Sequence, residues 1–108
     1  MALTYGPLAQ IRENSTNPAL LYQPAAGEVA EVSLRISNNT AGAVLVRVFH
    51  DIDGTTYDEA SAIIWDYSIT AGLFLVLLGI KMNSSGALAY RSDTANALTV
   101  TVYGIVKS

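Results

Sequence analysis

His50 is the only histidine in the chain, and Asp51 follows it directly. A nucleophilic site would have to use His50 as base, Asp51 as its orienting carboxylate and one of the scattered serines as nucleophile. No serine stands in a Gly-x-Ser-x-Gly setting, the elbow that exposes such a nucleophile. His50 closes an apolar run, so it is read as a structural or rim residue, and the chain as no enzyme.

Asp51, Asp53 and Asp58, with Glu59, form the densest group of carboxylates. Hard oxygen ligands of this kind suit calcium, which makes Asp51, Asp53 and Asp58 a candidate metal set. The EF-hand spacing is missing, because Gly54 follows Asp53 at once. The favoured reading is a hairpin loop in which Asp and Gly supply turn geometry. Trp65 and Tyr67 lie two apart, and on a strand they would share a face. Exposed, they would make a platform for stacking sugars, with Asp66 binding hydroxyls; buried, Trp65 would anchor a core or a subunit interface, the reading preferred here. Glu28 and Glu31 fall on or beside a strand with a solvated polar face. No phosphate-cradling loop, metal-spaced His/Cys cluster or cofactor fingerprint occurs, so no cofactor is expected.

The elements that must carry these residues are strands. Ala30, Val32, Leu34 and Ile36 alternate with Glu31, Ser33, Arg35 and Ser37, the period of a strand with one buried face. Val44, Val46 and Val48 repeat the pattern after a connector from Asn38 to Gly42, rich in residues that tolerate turns. Further strands are expected at Leu8–Arg12, Ala19–Tyr22, Ala87–Ser92 and Leu98–Val106. Ala60–Trp65 reads as a helical turn or a strand, with its Ile-Ile-Trp favouring strand. The apolar run Leu73–Ile80 is far shorter than the ~20 residues of a membrane helix. It is read as a strand buried on both faces, or one running into a turn. About eight short strands at regular spacing predict an all-β, single-domain antiparallel sandwich of jelly-roll or Greek-key type. Residues 1–17 are expected to be an N-terminal arm or edge strand, and residues 18–108 the sandwich.

Composition narrows the partners. The net charge is −3, and the six basic residues are scattered singly, which argues against nucleic acid. The first residues carry no basic leader or apolar segment and do not read as a secretory signal, and no membrane partner is expected. Cysteine is absent, so there is no disulfide framework. Charged residues are 14% of the chain against ~25% in typical domains, and hydrophobic residues are 51%. Part of the surface is therefore expected to be covered by a partner. The Asn-x-Ser/Thr triplets at Asn14, Asn38 and Asn83 lie in turn-like segments and are read as turn chemistry.

The segment Leu21-Tyr22-Gln23-Pro24-Ala25-Ala26-Gly27-Glu28-Val29-Ala30-Glu31-Val32, followed by Ile36-Ser37-Asn38 and a hydrophobic C-terminal strand, resembles small β-sandwich structural proteins of tailed bacteriophages, including capsid decoration (cement) proteins. Their pattern is a Leu-Tyr-x-x-Pro-Ala-Gly-like turn, a strand, an Asn-Ser/Thr-rich turn and another strand; here Pro-Ala-Ala-Gly carries one extra residue. The likeness covers about a quarter of the chain closely and the remainder only in strand rhythm. It implies a homotrimer on the outer capsid surface of a virion, with the major capsid protein as partner and no catalytic or ligand residue. An arm carrying Leu3, Tyr5, Leu8, Ile11 and Arg12, or one end of the sandwich, would grip the shell, and removal of the arm would leave the sandwich folded. The rival readings are a carbohydrate-binding module built on Trp65 and Tyr67, and another head or tail adornment.

Overall fold

A computed structural model describes residues 2–108, and among these there is no helix. Eight strands follow in order: β1 Leu3–Ile11, β2 Ala19–Tyr22, β3 Val29–Asn38, β4 Val44–Asp51, β5 Ala62–Ile69, β6 Phe74–Asn83, β7 Ala87–Ser92 and β8 Leu98–Lys107. They make two four-stranded antiparallel sheets, ordered β1-β8-β3-β6 and β2-β7-β4-β5. The first strand pairs with the last, the second with the seventh, the third with the sixth and the fourth with the fifth. That is the path of a jelly roll, a long antiparallel ribbon rolled into two facing sheets.

The predicted alternation sets what lies between the sheets. Val32, Leu34 and Ile36 of β3 face inward with Val100 and Val102 of β8, against Val44, Val46 and Val48 of β4 and Leu88 and Tyr90 of β7. All are almost fully buried, so each adds stability in proportion to the apolar area it withdraws from water. The Tyr90 hydroxyl, carried into this core, accepts a 2.9 Å hydrogen bond from Glu13 N. That bond ties the β1–β2 connector to the interior.

Asn38, at the end of β3, is completely buried and uses every hydrogen-bonding position of its amide. Nδ2 donates to Gly42 O (2.9 Å) in the β3–β4 connector and to Ile69 O (2.8 Å) at the end of β5 in the opposite sheet. Oδ1 accepts from Thr40 N (3.0 Å) and Thr40 Oγ1 (2.7 Å). Its main chain donates to Leu73 O and accepts from Gly72 N. One side chain thus fastens two connectors and both sheets at this end of the sandwich.

Three expectations are corrected. First, β1 begins at Leu3, well before the predicted Leu8, because Pro7 is tolerated on an edge strand where the β1–β8 register shifts between Pro7 and Ala9. Its partner is β8 along its whole length, and Leu8, Ala9 and Ile11 pack against the core. Residues 3–11 are therefore an edge strand and no free arm, and deleting residues 1–17 would strip a sheet strand. Second, Leu73–Ile80 is not buried on both faces: β6 is an edge strand with Phe74, Val76 and Leu78 exposed, as is Leu73 just before it. An apolar run looks the same in sequence whether both its faces are covered or one is left open. Third, the predicted Ala60–Trp65 strand runs on to Ile69, passing through Asp66 at φ 52°, a left-handed conformation that Asp tolerates better than most residues.

Replacing Asn38 by Asp keeps the shape and removes both donors, leaving Gly42 O and Ile69 O facing a buried carboxylate. Urea unfolding should show a loss of about 2–4 kcal/mol, while Asn39→Ala next to it, on an exposed residue, should be near neutral. Leu34→Ala in the core should cost about 2–5 kcal/mol by the same measurement.

Candidate binding surface

The residues that β1, β8, β3 and β6 turn away from the core form one outer face. Across it, Leu3 is level with Lys107 and Val29, Tyr5 with Ile105 and Glu31, and Pro7 with Tyr103 and Ser33. Further along, Arg35 lies between Thr101 and Val76, and Ser37 lies beside Phe74. Leu3, Tyr5, Val29, Phe74, Val76, Leu78, Tyr103 and Ile105 are exposed there, Tyr5 and Leu78 at 77% each. Isolated exposed hydrophobes are ordinary, but clustered ones are the kind that interaction surfaces carry; here they form two groups, one on β1 and β8 with Val29 and one on β6, with the polar row Glu31, Ser33, Arg35 and Ser37 of β3 between them.

Charge on this face runs against the chain's net −3. Arg35, Lys81 and Lys107 project beside a single acid, Glu31, which pairs with Lys81 at 3.5 Å. The Arg35 guanidinium lies 4.0 Å from the centre of the Phe74 ring, so its stem and charge extend the apolar stripe. An apolar, mildly cationic face fits a protein partner with a few carboxylates around an apolar patch.

At the end of the sandwich where β3 starts and β4, β6 and β8 finish, the face opens into a hollow of about 600 Å³ lined by Leu3, Val29, His50, Ile52, Met82 and Ile105 among others. Beside it, Gly86 in the β6–β7 turn packs so tightly on the end of β4 that a Cβ there would fall 2.1 Å from Asp51 O. His50 is half-buried, and desolvation pushes its imidazole below the ordinary value, opposed by the neighbouring Asp51 carboxylate.

The carboxylates after His50 are engaged in folding the loop. Asp51 Oδ2 accepts from Thr56 N (2.7 Å) and Oδ1 from Asp53 N (3.2 Å), which holds its carboxyl below the usual range. The carboxyl of Asp53 is raised by the Asp51 carboxylate beside it. Asp58 Oδ1 caps Ala60 N at 2.9 Å. Among the described residues, no three His, Cys, Asp or Glu side chains converge as a metal site, so Asp51, Asp53 and Asp58 are not brought together as ligands.

Trp65 and Tyr67 do not share a face. The register shift between Val46 and Val48, together with the left-handed Asp66, separates them. Tyr67 lies opposite the inward-pointing Val46 at the rim of β5, whereas Trp65 lies on the outer side with Phe49, edge-on at 6.4 Å. Neither is a core residue, since both are about half exposed. Arg47 covers the Trp65 ring at 3.7 Å and forms a paired contact with Asp66, Nε–Oδ1 2.6 Å and Nη2–Oδ2 3.0 Å. That guanidinium holds the Asp66 carboxyl below its usual range. One face of the indole is thus occupied by the protein itself, and Tyr57 packs on Phe49 at 6.0 Å to roof the same side.

Of the residues predicted for an arm, Leu3 and Tyr5 lie on the apolar outer face. Leu8 and Ile11 pack against the core, and Arg12 bonds Asn96 O and Thr99 Oγ1 at the opposite end of the sandwich. Sequence reasoning missed Tyr103, Ile105, Phe74, Val76 and Leu78. The signal for two of them was present: after Thr99 and Thr101, the polar side of β8 turns apolar at Tyr103 and Ile105. In comparisons with known proteins, the chain matches no family model and no curated sequence.

Because folding lowers the His50 pKa, the native state binds fewer protons than the unfolded chain as pH falls through the ordinary value of 6.5. The His50 contribution is complete above that value and lost below it, so unfolding midpoints from about pH 8 to about pH 5 should decline, less steeply in His50→Gln. At Asp66, thermal melting should place Asp66→Asn above Asp66→Ala. Asn accepts the left-handed backbone and still reaches Arg47; Ala does neither.

Proposed function

We propose that this chain is a non-enzymatic structural protein of a bacteriophage virion, which binds the outside of the capsid and reinforces it as a decoration or cement protein. The observation that carries this reading is the cluster of exposed hydrophobes on the outer face of the β1-β8-β3-β6 sheet, Leu3, Tyr5, Tyr103 and Ile105 on β1 and β8. The resemblance of the Leu21–Val32 segment to phage β-sandwich proteins supplies the class of partner, the major capsid protein.

The mechanism is adhesion. An apolar face pressed across the joint between two capsid subunits loses its hydration and holds both, and Arg35 and Lys107 find carboxylates at the rim. Each contact is modest, but repetition at many equivalent positions of a closed shell makes the sum large. The sandwich suits this role because its core is separate from the working face, so the face can carry hydrophobes without altering the fold.

The test uses virions of the phage that encodes the chain. Mass spectrometry of purified particles should find the protein, and heads depleted of it should rupture at lower temperature and regain resistance when it is added back. Tyr5→Glu combined with Ile105→Lys should leave the isolated domain folded, within roughly 0.5 kcal/mol per exposed site, yet abolish binding to depleted heads. Undiminished binding by that variant would remove the outer face from the mechanism.

A further inference from the structure

The two sheets have four edges, and three of them are blunted. Edge β1 contains Pro7 and a register shift beside it; β2 is only four residues long and irregular between Leu20 and Tyr22; β5 has two register shifts and the left-handed Asp66. These are the devices by which proteins prevent strand addition. Edge β6 is different. From Phe74 to Leu78 it has no charge, no proline and no interruption, and its own irregularity, around Gly79 at φ 72°, lies beyond that stretch.

Hydrogen bonding shows which groups this edge offers. Asn38 N donates to Leu73 O, and the register that sets Ser37 opposite Phe74 sets Asn38 opposite Leu73. In an antiparallel ladder, residues bonded to the neighbour alternate with residues that point their N–H and C=O the other way. Leu75 and Leu77 therefore bond to β3, while Phe74, Val76 and Leu78 turn both main-chain groups outward. The same three residues carry the exposed side chains.

We propose that β6 is the docking edge for a second copy of this chain, pairing antiparallel about a two-fold axis at Val76. In that register Val76 faces Val76 of the second copy, Phe74 faces its Leu78, and Leu75 faces its Leu77. The free N–H and C=O groups at positions 74, 76 and 78 then meet their counterparts, and the two four-stranded sheets become one sheet of eight. Outer side chains meet outer ones, so Phe74, Val76 and Leu78 of both copies join in a single apolar ridge. The half-buried Leu75 and Leu77 come together on the inner side. No like charges collide: Lys81 is beyond the paired stretch and bound to Glu31, and the two Arg35 side chains, one strand back on each copy, are about 14 Å apart, more than a Debye length at physiological salt. A second copy is the occupant because the stretch is self-complementary, and a two-fold pairing closes on itself without leading to fibres.

This pairing does not depend on capsid attachment, and it differs from the three-fold association implied by the phage resemblance. Sedimentation equilibrium over a concentration series should approach twice the 11.5 kDa chain mass, and Val76→Lys, which sets like charges opposite one another, should hold the mass at one chain with the circular dichroism of the parent. The chain has no cysteine, so a single Val76→Cys reports on this contact alone. Opposed Cα atoms at about 5.5 Å lie within disulfide reach, and mild oxidation should convert that variant to a covalent dimer, whereas Ile63→Cys on β5 should form no covalent dimer. A trimer mass, a monomer at all concentrations, or equal cross-linking at positions 63 and 76 would overturn the proposal.

Discussion

The arrangement of this sandwich turns on a single buried amide. A jelly roll keeps its two sheets together mainly through non-directional apolar packing, which rewards contact without fixing register. Asn38 adds direction: its amide reaches Gly42 in its own connector and Ile69 across the gap, and its main chain locks the β5–β6 connector through Gly72 and Leu73. A polar group so placed stabilises only if every bond is made, and here every one is. Among the described residues, no buried side-chain nitrogen or oxygen is left without a partner. The β3–β4 and β5–β6 connectors therefore have one arrangement, and β6 leaves that end in a defined register on β3.

The same end is secured from the other side by Tyr90 and Glu13, and by Asn96 N donating to Glu13 O. Arg91 Nε adds a bond to Thr16 O. Four connectors gather there, and each is hydrogen-bonded to another element. The opposite end carries the hollow near His50, the loop organised by Asp51, and the paired residues Ala2 and Ser108. The proposed adhesive role would use this division: the hydrogen-bonded end holds the sheets in place, and the apolar face and hollow remain open to a partner.

Legibility followed burial. The alternation in Ala30–Ile36 and Val44–Val48 predicts strands, face and core together, because only a half-buried strand produces it. In sequence Asn38 reads as turn chemistry; its turn bond to Thr40 is local and visible there, whereas its bond to Ile69 depends on two sheets facing each other. The apolar run at β6 misled in its face because period-two reasoning has nothing to work on when both faces are apolar. Trp65 and Tyr67 misled for another reason: an even spacing implies a shared face only without a bulge, and Asp66 in a left-handed conformation supplies one. Apart from Tyr103 and Ile105, where the polar side of β8 turns apolar, the outer apolar face was legible only as a general excess of hydrophobic residues over charge.

The pairing of β1 with β8 sets a schedule for the chain as it is made. Leu3–Ile11 finds its partner in Leu98–Lys107, and Ser108 N reaches back to Ala2 O at 3.0 Å, so β1, made first of the eight strands, waits for β8, made last. Contacts this distant in sequence are slow to form, and the central strand β8 is made after the seven others. Until then β3 has β6 on one side and an open edge on the other. Because Ala2 and Ser108 meet, residues 2–108 could be joined end to end and opened at another exposed turn, which would rearrange the order of assembly without altering the assembled sheet.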